Sequence, residues 1–382
     1  LEQVASRLPS TRGFDGARGW AVDHTGMRGP LDLGDLELFR VTVDVLSGRW
    51  LLPGSAVETC GARVVSERVL LDVRMRDGVT RYVLALDRRT ALPVELAPAA
   101  GPPWRMRYAR FEAGPWGLVA RDVTCECGHL ADRITIASAE RCEDIDARAP
   151  ALPHEVTVDA AASELVALTR SSRGRLPLVR PRINGEDVGP FLFDTGASTT
   201  AIAADVADRL GLASRGRSWV TTSDGGTGAC HRVGRRFQLG PVVVREPVML
   251  ELDLAELRHA LGVSLAGVVG YDLFARALIE LRDGGCSLAV RPPYATPPGD
   301  VRWMPLRFEE RCPMIPCATE QGGGLFALDT GSASPVTLYA AAVSAWGLTA
   351  TTRPRSLLRG VSGTRAIATC TLPWFSVGEE RF

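Results

Sequence analysis

The chain has 382 residues, 46% of them hydrophobic and 23% charged, which is ordinary for globular protein and leaves room for two or three domains. Its formal net charge of +0 argues against a nucleic-acid partner and against an acidic solvating tail. No apolar run approaches the roughly 18 residues that a membrane span needs, and the nine cysteines lack the paired Cys-x-x-Cys spacing of a zinc site.

The sequence opens on Leu1 rather than Met, so the natural N-terminus is expected upstream. Residues 1–148 read as an all-β unit, a meander or half-barrel. Leu71-x-Val73-x-Met75 alternates, Asp77-Gly78 turns, and Tyr82-x-Leu84-x-Leu86 returns as a hairpin. Trp104-x-Met106-x-Tyr108 and Ile134-x-Ile136 add further alternating pieces. The Pro-spaced run Ala147-Arg-Ala-Pro150-Ala-Leu-Pro153 is an extended linker.

A second unit is expected over 160–293. Leu176-x-Leu178-x-Arg180-x-Arg182 reads as a strand, Asn184-Gly185 as a hairpin turn, and Pro190-Phe-Leu-Phe193 as the return strand that delivers Asp194. Ser198 or Thr199 is a plausible N-cap for a helix from Ala201 to Leu210, which Gly211 stops. A polar, Gly-rich tip follows at Thr221-Thr-Ser223-Asp224-Gly225-Gly226-Thr-Gly228. Then come Gly267-Val-Val-Gly270 and a closing hairpin through Leu278–Leu281 and Leu288–Val290.

The run Arg291-Pro-Pro-Tyr-Ala-Thr-Pro-Pro298 is a semi-rigid linker, and from there the pattern repeats over 300–382. Gln321-Gly-Gly-Gly324 takes the turn position, Leu325-Phe-Ala-Leu328 delivers Asp329, Ala340 to Trp346 is the helix, and Gly360-Val361-Ser362-Gly363 is the second tip. The offsets agree: 225 − 194 = 31 and 360 − 329 = 31. A second copy of Gly270 would fall near 405, so the second unit is expected to be incomplete at its C-terminal end.

The repeated element is Phe191-Leu-Phe-Asp194-Thr195-Gly196-Ala197-Ser198, matched by Phe326-Ala-Leu-Asp329-Thr330-Gly331-Ser332-Ala333. It resembles the active-site turn of aspartic proteases, in both their retropepsin and pepsin branches. The resemblance implies a mainly β fold with two tandem retropepsin-like β-barrel units after the β-rich N-terminal domain, whose opening Gly13-Phe-Asp-Gly16 and Gly19-Trp20-x-x-Asp23 weakly resembles the N-terminal region of some bacterial aspartyl-protease-like proteins. It also implies aspartic endopeptidase activity on a polypeptide, with Asp194 and Asp329 as the catalytic pair. Two carboxyl groups about 3 Å apart cannot both ionise readily, so they share a proton and supply an acid and a base to one water; the aspartic protease pair is itself the standard example.

By the same resemblance, Thr195 and Thr330 would hydrogen-bond across the pseudo-twofold axis, and Gly196 and Gly331 would donate N–H groups to the carboxylates. Ala197 and Ser198 would complete the first turn, while Ser332 would bond Asp329 from its outer side. Ser223, Asp224, Gly225 and Gly226, with Val361, Ser362 and Gly363, would form flaps. Export to a periplasm or exterior fits the company such domains keep.

No cofactor is expected. Gly225-Gly-Thr-Gly228 lacks the Gly-Lys-Ser/Thr of a phosphate loop, and His231 and His259 lack metal-ligand spacing. Two alternatives stay open. The fold could bind peptide without cleaving it, or the first unit could pair with its twin in a second chain.

Overall fold

The protein is described by a computed structural model covering residues 11–14, 19–23, 25, 28–31, 33–100, 104–114, 117–127, 130–137, 156–222, 225–293, 295–296, 299, 304, 306–309, 311–348, 351–360 and 363–382. It is mainly β, with 49% of residues in strands and 13% in helices. The chain divides into two compact units: one from residues 12–21 and 28–150, the other chiefly from 22–27 and 151–382. The linker proposed at 147–153 lies outside the described residues.

In the first unit, seven strands from Val57–Val65 to Leu130–Thr135 pair in sequence order as an antiparallel meander. The hairpin expected around Asp77-Gly78 is there, with Val73 opposite Tyr82. The unit is not all-β, however: Leu33–Ser47 is a 15-residue helix. Leu38, Val41 and Val45 recur at helical spacing and pack with Met75, Tyr82, Leu84 and Leu96. Gly48 ends the helix at φ 74.

The second unit is organised by an eight-stranded sheet, in which Gly267–Val269 lies between Phe191–Phe193 and Ala201–Ala203. It runs parallel to the first, with Leu192 opposite Val268, and antiparallel to the second, with Ala201 opposite Val268. All nine residues of these three strands are buried. Strands buried on both faces need apolar runs rather than alternation, and Phe-Leu-Phe, Ala-Ile-Ala and Gly-Val-Val supply them.

Three local expectations are corrected. The strand through Leu176–Arg182 breaks into Pro177–Val179 and Arg182–Ile183, since Pro181 has no N–H to give a ladder. Asn184 and Gly185, at φ 53 and 91, do turn the chain, but the immediate return is the two-residue strand Glu186–Asp187. Phe191–Phe193 pairs instead with Pro177–Val179. The helix begins at Ala204, because Ala201–Ala203 is drawn into the sheet between Gly267–Val269 and Val248–Leu252. Sheet pairing thus overrides the helix propensity of alanine, and Ala203 stands at the N-cap without a side-chain bond.

In the later part of this unit, Cys312–Thr319 pairs with Gly323–Ala327, so the turn lies at 320–322 and Gly323 and Gly324 belong to the strand rather than the turn. The helix Ala340–Ala345 follows, with Gly347 beyond it at φ 61. Both expected tips sit on antiparallel hairpins. Thr222 pairs with Gly225, and Gly360 with Gly363. Gly225, Gly226 and Gly363 are therefore strand residues, while Ser223, Asp224, Val361 and Ser362 lie outside the described residues.

Candidate active site

Each Asp-Thr-Gly sits where a strand leaves its sheet. The Asp194 N–H donates to Val269 O at 3.1 Å, which fixes the start of the first loop against the end of the Gly267–Val269 strand. The loop is then tied to Gly270 and its neighbours: Tyr271 N–H donates to Ala197 O at 2.8 Å and Gly270 N–H to Thr200 Oγ1 at 3.3 Å. Any Cβ on Gly270 would lie 2.4 Å from Thr199 O, so only glycine permits this approach.

Behind the loop sits Asp272, buried and aimed at Thr200. It accepts from Thr200 N at 2.6 Å and from Thr200 Oγ1 at 2.7 Å. Burial, resisted by these bonds and by Arg276, pushes its carboxyl up to about 6. The buried Arg276 donates to Asp272 O at 2.9 Å and to Thr25 O at 2.7 Å, while Asp23 is ion-paired with Arg311. Sequence reasoning gave none of these a role. Asp272 was visible beside Gly270, but nothing local marks a carboxylate two residues past a glycine as a brace for a loop seventy residues earlier.

The two Asp-Thr-Gly loops bond to each other reciprocally. Thr195 N–H donates to Thr330 Oγ1 at 3.1 Å, and Thr330 N–H donates to Thr195 Oγ1 at 3.0 Å. Each hydroxyl then donates onward across the pair, Thr195 to Leu328 O at 2.5 Å and Thr330 to Phe193 O at 2.7 Å. The two threonines thus contribute four bonds between the loops, and each is used as donor and acceptor.

This grip brings the carboxyl groups together. Gly196 N–H and Ala197 N–H donate to Asp194 Oδ1 at 2.9 and 3.2 Å, and Gly331 N–H donates to Asp329 Oδ1 at 2.8 Å. A Cβ on Gly196 would fall 2.7 Å from Asp329 Cγ, and one on Gly331 only 2.4 Å from Asp194 Cγ. Each carboxyl thus lies against the opposite loop's glycine. Burial pushes the Asp194 carboxyl up to about 7, helped by the charge of Asp329 and a hydrogen bond with it, against the pull of the loop N–H groups. Asp194 is half-buried, so part of it still meets solvent, while Asp329 is exposed.

Other expected residues are placed differently. Ser332 Oγ donates to Ser334 O at 3.2 Å and accepts from Ser334 N–H, so a local turn takes the hydroxyl and not Asp329. Ser198 is exposed. His231 is buried and shares a hydrogen bond of 3.2 Å with Ser218 Oγ. Among the described residues no three His, Cys, Asp or Glu side chains are grouped as metal ligands, and no helix is long and apolar enough to cross a membrane.

Residues 179–273 match the family model described as aspartyl protease, of the retropepsin-like clan. That segment is aspartyl-protease family sequence, and it contains the first Asp-Thr-Gly loop, the Gly267–Val269 strand and Asp272. A domain of this family supports a peptidase function. No curated protein matches the chain.

Proposed function

We infer that the chain is an aspartic endopeptidase in which Asp194 and Asp329 activate one water for attack on a peptide carbonyl. The ionised carboxyl takes the water's proton as the oxygen attacks carbon, and the protonated carboxyl donates toward the carbonyl oxygen. Proton transfer to the amide nitrogen then lets the C–N bond break. The pair acts as one titrating unit, so neither aspartate holds a fixed role.

The reading includes an architecture. Units over 160–293 and 300–382 form two acid-protease lobes of one chain, after an N-terminal domain over 1–148. The hairpins carrying Ser223–Gly226 and Val361–Gly363 serve as flaps over the substrate, and Thr195, Thr330, Gly196, Gly331 and Ala197 hold the turns.

The observation that carries it is the reciprocal Thr195–Thr330 bonding, with each carboxyl against the other loop's glycine. A structural turn has no reason to face its copy 135 residues away in this manner. Asp194→Asn and Asp329→Asn, made separately, test it. Either change should cut cleavage of an unstructured protein by on the order of 10³-fold, with the circular dichroism spectrum retained. A wild type that cleaves nothing from pH 3 to 8 leaves a peptide-binding protein on the same fold.

A further inference from the structure

An open groove of about 1360 Å³ lies on the second unit, lined by none of the Asp-Thr-Gly residues. Its lining includes the aliphatic side chains of Leu210, Leu212, Val233 and Val243, of which Leu212 and Val243 are buried. Arg215, Arg235, Arg236 and Arg245 line it, all exposed, against the two acids Asp159 and Glu246. The surplus is thus 4 − 2 = 2 positive charges on a chain whose net charge is +0.

The ladder makes this charge unusual. Arg236 and Arg245 are direct cross-strand partners in the hairpin of Arg236–Leu239 with Val242–Arg245, so their side chains leave the same face. Like charges in that register oppose folding. Among the described residues only Arg236 of the four is ion-paired, to Asp159 at 3.2 Å. Val242 and Val244 point into the core cluster, while Val243 alternates to the groove side. The face therefore presents guanidiniums beside aliphatic side chains, an arrangement that fits an anionic ligand with apolar parts.

The volume far exceeds that of a single small anion. Among the described residues no aromatic side chain lines the groove, so they offer no platform for stacking nucleobases. We propose that this groove binds an acidic, partly apolar polypeptide segment, outside the Asp194–Asp329 site, and so recruits substrate. The recruiting role rests on the peptidase reading; the binding does not.

The test uses the full chain carrying Asp194→Asn, to prevent cleavage, and a fluorescein-labelled peptide of alternating Glu and Leu. Fluorescence anisotropy should show at least about tenfold tighter binding than for the Gln–Leu counterpart, weakening steeply as salt rises. Arg235→Glu with Arg245→Glu should abolish that preference. Arg245→Gln alone should weaken binding while leaving the melting temperature unchanged or higher, because it relieves the like-charge pair. Equal binding of the two peptides, or an undiminished preference in the double variant, overturns the proposal. So does displacement of the peptide by a single-stranded oligonucleotide or tripolyphosphate at lower concentration than by unlabelled peptide. On an Asp194 background, the double variant should cleave a short neutral peptide at the unchanged rate and show a raised KM only for acidic substrates. A wild type without any cleavage defeats the peptidase reading, and the anisotropy still decides the groove.

Discussion

Asp194 carries the clearest dependence on pH. Its carboxyl in the folded chain is raised to about 7, against roughly 3.9 for the same group in an unfolded chain. Between those values the folded state holds a proton that the unfolded state has released. The group's contribution to stability is therefore complete below about pH 4 and is lost as pH rises through about 7. Asp272, raised to about 6, acts in the same direction. Thermal unfolding should consequently show a melting point that falls from pH 5 to pH 8, and falls less in Asp194→Asn. On the proposed mechanism the pair works singly protonated, so cleavage should decline above about pH 7 as the last proton leaves. A rate still rising at pH 9 would contradict that assignment.

At the scale of the element, the first loop is held by the strand Gly267–Val269 and by what lies just past it. Asp272→Ala would leave the Thr200 N–H and hydroxyl without their buried acceptor and remove one of the two acids, Asp272 and Asp23, whose charge acts on Arg276. Losing one partner of a buried charged network costs about 3 kcal/mol, so urea unfolding should reveal a loss of that order. A loss under about 1 kcal/mol would show that the loop does not lean on Asp272.

This element also marks how far the sequence was legible. The Asp-Thr-Gly repeats, the hairpin turn at Asn184-Gly185 and the helix-ending glycines were readable because each is fixed by a few adjacent residues. Ala201–Ala203 was not, since its strand pairing comes from residues about fifty and seventy positions away. The helix Leu33–Ser47 escaped notice for a related reason: Val41-Thr-Val43-Asp-Val45 alternates like a strand, and only the packing against the meander selects the helical stripe. Asp272 and Arg276 lacked any local signal, because their partners Thr200 and Thr25 are distant in sequence. The hydroxyl of Ser332 went to a backbone carbonyl two residues on, a local competitor the resemblance did not weigh.

For the whole molecule the question is whether one chain makes a complete site. The four threonine bonds run between residues of the same chain, and each carboxyl already meets the opposite loop's glycine. A site closed within one chain has the same activity per molecule at any concentration, whereas a site shared by two chains falls apart below its dissociation constant. Specific activity should therefore stay constant from about 10 μM down to about 10 nM. Mixing Asp194→Asn with Asp329→Asn should restore nothing, because every chain then carries one damaged pair. If activity dilutes away while Asp329→Asn alone remains active, the working partner of Asp194 is its twin in a second chain, and the Asp329 loop is a brace rather than half of the site.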